Sequence, residues 1–126
     1  MDEELSTAIL ERVVENRLSC AEAFRIAERL GVAPLAVGQA ADALNVRLSR
    51  CQLGLFGYGE KKRIVAPADA VTSELEQAIR GGMILERLPC VDAWAVAARS
   101  GIARLEVAYA AETLGISISE CQLGAF

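Results

Sequence analysis

The chain contains no histidine. Nucleophilic arrangements that use an imidazole base, Ser–His or Cys–His, are therefore excluded, as is any histidine metal ligand. Its four cysteines never form a CxxC, so the close ligand spacing of most zinc modules is absent. Carboxylates fall singly on polar helix faces and mark no converging acid–base pair. No enzymatic activity, metal or cofactor is expected. Aromatic residues make up only 5% of the chain while alanine is common, which suits closely packed helices. No apolar run approaches the roughly 20 residues needed to cross a bilayer. The opening MDEELSTAIL is acidic where a secretory signal needs a basic region and a long apolar run. These absences imply a cytoplasmic location with reduced thiols and no membrane partner. A broad positive field is missing too. The net charge is −4, and residues 64–126 carry all of that excess, because acidic and basic groups balance in 1–63.

What is present occurs twice. Residues 18–56 read LSCAEAFRIAERLGVAPLAVGQAADALNVRLSRCQLGLF, and 88–126 read LPCVDAWAVAARSGIARLEVAYAAETLGISISECQLGAF, without a gap at an offset of 70. Extended back to Leu5 and Leu75, the alignment holds 52 pairs, of which 22 are identical. A duplicated unit is the natural reading. With 126 residues in all, each copy alone is close to the lower size limit for a self-sufficient interior, so the copies are expected to share one core.

Within the first copy, Leu5, Ala8, Ile9 and Val13 recur at helical spacing and predict a helix from Glu3 to about Asn16. Ser19 suits the cap of a second helix running to Leu30, which buries Cys20, Ala23, Phe24, Ala27 and Leu30. Gly31 stands where helices commonly end in a left-handed residue, and Pro34 suits the first turn of a third helix reaching about Leu44. In the second copy, Ser73 and Glu76 offer a capping box, Pro89 opens a fifth helix, and a sixth covers about Arg104–Leu114.

The run IAERLGVAPLAVGQAA resembles the helix-turn-helix superfamily. Small Ala27 lies four residues before the turn glycine Gly31, and Val37 and Ala40 lock the next helix onto the previous one; Ala97, Gly101, Val107 and Ala110 repeat the pattern. The resemblance implies two tandem units and a transcription-regulatory, DNA-binding role.

After the third helix of each copy the period changes to two, with Val46 and Leu48 alternating with Arg47 and Ser49, as Ile116 and Ile118 do with Ser117 and Ser119. A short strand is expected in each copy, and the two strands are expected to pair with each other across a pseudo-twofold axis or with a second chain. The repeated motif Cys51, Gln52, Leu53, Gly54 and Cys121, Gln122, Leu123, Gly124 is expected to form a turn, its glutamine amides binding open backbone groups. The cysteines read as small buried residues, with metal binding and redox roles as alternatives. Cys20 and Cys90, at helix starts, are the ones a dipole would favour as thiolates.

Arg47, Arg50, Lys61, Lys62 and Arg63 put five basic residues within seventeen positions beside Phe56 and Tyr58, the only stretch suited to phosphate contacts. On the outward faces of the third and sixth helices, only Gln39 and Arg104 have chemistry suited to base edges. The expected fold is mainly α, with tandem duplicated three-helix helix-turn-helix-type units, each followed by a short β-strand. One repeat spans 1–57, a linker 58–71, and the second repeat 72–126. Two functions stay open: a DNA-binding regulator, and a protein-interaction or assembly module whose partner is another protein or a second copy. The second predicts an apolar surface joining the strand to Leu55–Tyr58.

Overall fold

The computed structural model describes residues 3–126, apart from the side chain of Lys61. It is mainly α. In the first half, α1 (Glu3–Arg12), β1 (Arg17–Ser19), α2 (Cys20–Leu30), α3 (Pro34–Ala43) and β2 (Arg47–Ser49) follow one another; α4 (Ser73–Gly81), β3 (Leu88–Pro89), α5 (Cys90–Ser100), α6 (Arg104–Leu114) and β4 (Ile118–Ser119) follow in the second. A short 3-10 turn, Gly59–Lys61, lies between them. No helix among the described residues is long and apolar enough to cross a membrane.

The first helix stops at Arg12, short of the expected Asn16. Glu15 and Asn16 both adopt positive φ (51° and 63°), and Val14 and Arg17 exchange backbone hydrogen bonds of 3.0 Å across them. Two consecutive left-handed residues make a tight hairpin turn that no helix can continue through. Ile84 and Arg87 close the corresponding turn over Leu85 and Glu86 (φ 50° and 67°). The turn delivers the chain into β1, a strand too short to show a period of its own.

β1 pairs in parallel with β2, Leu18 opposite Leu48, and β3 pairs with β4, Leu88 opposite Ile118. This corrects the expectation that the two later strands pair with one another. A parallel pair needs a long crossover, and the helix pairs α2–α3 and α5–α6 supply it within each half. Ser19 caps α2 as expected, its Oγ accepting from the Glu22 amide at 3.2 Å. The cap of α4 is Thr72, not Ser73: the Thr72 hydroxyl accepts from Leu75 N at 3.2 Å, and Ser73 is already helical. Gly31 and Gly101 end α2 and α5 at φ 67° and 68°, in the left-handed region where a Cβ would be strained.

The interior forms two clusters. Leu5, Ala8, Ile9, Leu18, Ala23, Ile26, Val37 and Ala41 build the first, and Ile79, Leu88, Ala93, Val96, Val107 and Ala111 the second. Small alanines let the helices approach closely, which explains how so few aromatics suffice. Trp94 packs against both clusters. The single shared core expected from the size of each copy is thus two interiors, sewn together by three buried residues that cross over: Leu123 belongs to the first cluster, and Cys51 and Leu53 to the second.

Candidate functional site

Each CQLG motif closes into a loop. Gly54 N donates to Cys51 O and Gly124 N to Cys121 O, both at 2.9 Å, with the glycines at φ 76° and 81°. Cys51 N reaches Phe56 O at 3.2 Å and Cys121 N reaches Phe126 O at 3.1 Å, so the loops have matching bonds. Each loop then inserts its leucine into the opposite half. Leu53 is fully buried among the second-half side chains, and Leu123 is 2% exposed among the first-half ones. The glycines permit this approach. A Cβ on Gly54 would stand 2.6 Å from Leu105 Cδ1, and one on Gly124 would stand 2.8 Å from Leu35 Cδ1.

The glutamine amides do not bind open backbone groups as expected. Gln52 Oε1 accepts from the Arg104 guanidinium, and Gln122 Nε2 donates to Cys90 Sγ at 3.4 Å. Arg104 lies over Trp94, 3.5 Å from the ring centroid, and Trp94 meets Phe24 at a tilt of 44° with centroids 4.3 Å apart. Phe24 and Trp94 are equivalent positions in the repeated sequence, so these rings meet where the halves face each other. Arg104 is therefore spent at that junction and is not presented outward on α6. Its charge at a helix N-terminus is unfavourable to the dipole, and the indole face and the Gln52 oxygen offset this.

Cys20, Cys51 and Cys90 are buried, and Cys121 is partly so; all four are free thiols. Burial pushes the Cys20 thiol up to about 12, opposed by the Gln52 backbone N–H and reinforced by Cys51, Cys90 and Cys121. Burial also raises Cys51 and Cys90. Cys20, Cys51 and Cys90 are thus the small buried residues that the sequence reading favoured, and at the two helix starts desolvation outweighs the dipole that would favour a thiolate. Among the described residues, no group of three or more Cys, Asp or Glu side chains is arranged to hold a metal ion.

The basic stretch is spread over separate surfaces. Arg47 is exposed beside α3; Arg50 lines a different depression with Arg12, Arg17 and Tyr58. Lys62 is exposed, the Lys61 side chain lies outside the described residues, and Arg63 is drawn onto α6 by Glu112 at 3.1 Å. Its aromatic neighbours are engaged internally: Tyr58 Oη donates to Cys51 O at 2.5 Å, and Phe56 meets Phe126 edge-on at 6.2 Å.

A groove of about 1000 Å3 runs between α3 and residues 123–126. Leu35, Gly38, Gln39 and Asp42 form one wall and Leu123, Gly124 and Phe126 the other, with Val46, Leu48, Leu55 and Phe56 also lining it. The apolar surface expected to join strand and Leu55–Tyr58 thus exists in part, with Val46 buried and Tyr58 lying elsewhere. Leu35 and Phe126 are about half exposed, at 48% and 47%. The counterpart beside α6 holds only about 350 Å3, because the chain itself runs along it. There Ile64 N and Val65 N donate to Gly54 O at 2.8 and 3.3 Å, Ala68 N donates to Tyr109 O at 3.3 Å, and Thr113 Oγ1 donates to Ala68 O at 3.0 Å. The sequence reading missed Leu35; the signal available was an apolar residue on the same helix face as Gln39 and Asp42. Comparison with protein families, with curated proteins and with solved structures finds no match for this chain.

Proposed function

We propose that the protein is a non-enzymatic protein-interaction module, built from two tandem helix-turn-helix-type units that arose by duplication, and that it does not read DNA. One observation carries the reading. The side of α3 that would have to enter a major groove is one wall of a cleft whose other wall is the second CQLG loop, with the Leu123 carbonyl set directly against Gly38. Only one of the two side chains suited to base edges remains outward, Gln39, since Arg104 is held by Trp94 and Gln52. The net charge of −4 adds an unfavourable long-range field for nucleic acid. A cleft lined by Val46, Leu48, Leu55 and Phe56 between a helix and a loop is instead suited to another polypeptide.

The competing reading, a DNA-binding regulator, draws on exposed Arg47, Arg50 and Lys62. Gel shifts at low salt with mixed duplexes decide between them. The interaction module leaves every duplex unshifted. Binding that weakens uniformly on removing charge at Arg47, Arg50, Lys61, Lys62 and Arg63, with a flatter salt dependence, would instead establish the regulator.

A further inference from the structure

We propose that the groove between α3 and residues 123–126 captures an extended segment of a partner protein, carrying two consecutive β-branched residues whose amides donate to the Gly124 carbonyl. The proposal rests on the interaction-module reading and specifies its site. Its basis is that the same molecule holds such a segment in the matching place. Every second-half residue lining the smaller groove has its counterpart in the larger one at an offset of 70: Ala108 and Gly38, Glu112 and Asp42, Gly115 and Asn45, Ile116 and Val46, Ser117 and Arg47, Ile118 and Leu48.

The linker shows what such a groove holds. Ile64 and Val65 aim successive amides at one carbonyl, Gly54 O, and Val65 also packs against the second interior. The glycine at 54 leaves room for this approach, since a Cβ there would crowd Ile64 Cγ1 at 3.1 Å. Further along, Ala68 ties to the α6 backbone at Tyr109 O, whose counterpart is Gln39. Main-chain capture of this kind supplies affinity, and the apolar walls select the side chains. The two leucines also differ in exposure. Leu105 is partly buried, whereas its counterpart Leu35 is half exposed.

Two differences shape the ligand. Ala43 replaces Thr113, so the hydroxyl that ties down Ala68 has no equivalent. Arg47 replaces Ser117, so the walls of the larger groove carry Asp42 and Arg47, one charge of each sign, whereas in the smaller groove Glu112 is matched by Arg63 of the linker itself. The fitting segment is therefore an apolar β-branched pair with at most modest net charge around it, not a polybasic or polyacidic peptide.

The test uses the full chain and a fluorescein-labelled synthetic peptide with the sequence of residues 62–69. The tethered linker already fills the smaller groove at an effective concentration on the order of millimolar, so added peptide reports on the larger one. The expected result is a saturable rise in anisotropy. Leu35→Asp should weaken it about tenfold or more, while Leu10→Asp, at a comparably exposed leucine on α1, should not change it. Peptide N-methylated at the isoleucine and valine amides should lose binding. Three results overturn the proposal: no anisotropy change up to millimolar protein, equal affinity for Leu35→Asp, or a homodimer in light scattering that Leu35→Asp dissolves without any peptide binding. The last would give the groove to a second copy. A null peptide titration with unshifted duplexes removes only the groove assignment; shifted duplexes remove the interaction module itself.

Discussion

Gly38 and Leu123 stand against each other with no room for a side chain between them: a Cβ on Gly38 would run into the Leu123 carbonyl oxygen. The two residues belong to opposite halves of the chain. Their contact fixes how far the second CQLG loop approaches α3, and so sets the width of the groove.

Gly38→Ala should therefore destabilise the protein, although it raises helix propensity. The overpacking cost is about 1–3 kcal/mol, against a propensity gain of up to ~1 kcal/mol. The net loss is read as a lower urea midpoint. At the matching position of α6 nature already has Ala108, buried at 2% exposure, and Ala108→Gly should cost about 1 kcal/mol in the ordinary helical way. A stabilised Gly38→Ala variant would mean that the loop does not sit where it is described.

Leu123→Ala and Leu53→Ala should each cost about 2–5 kcal/mol, since each truncates a side chain buried in a packed interior. Their diagnostic feature is where the damage falls. By hydrogen exchange, Leu123→Ala should loosen amides of α2 and α3 more than those of α5 and α6, and Leu53→Ala should do the reverse. Loosening confined to the half that carries the mutated loop would show that each motif closes its own unit.

Stability should fall as pH rises beyond 9. The Cys20 thiol, ordinarily near 9.0, is pushed up to about 12 in the folded chain, chiefly by burial. Below pH 9 both states keep the proton and its contribution is whole. Between 9 and about 12 the unfolded chain releases the proton while the folded one retains it, so the folded state loses ground. Cys51, Cys90 and Tyr58 shift in the same direction, also through burial. Urea midpoints at pH 8 and pH 10.5 should differ, and Cys20→Ala should reduce that difference. An unchanged difference would show that Cys20 is not shielded.

The helix pairs were legible because their punctuation is local. Gly31, Gly101 and Pro34 each act on the backbone of their own turn, and no distant residue alters that. The strands β1 and β3 were not legible, since three and two residues cannot display alternation, and the turn before them rests partly on Leu85 and Glu86, which sequence does not associate with positive φ. Ser73 and Thr72 are adjacent hydroxyl residues of similar capping strength, and which of them caps α4 is decided by one residue of register. The exchange of Leu53 and Leu123 was hidden for a different reason. Leu53 and Leu123 hold the same place in the repeated sequence, and nothing in their spacing tells which half either one enters. The same symmetry concealed the groove. Leu35 and Leu105 are the same residue in the same frame, and residues 63–68 run along the α6 side alone.

The crossed leucines also mean that the chain cannot be divided by cutting between Phe56 and Thr72. Each fragment would depart with the stopper made for the other and would be left holding an unsealed interior. Such pieces should stay clasped without a covalent link, and any substitution that reshapes one socket must be answered by a change in the loop carried by the opposite half.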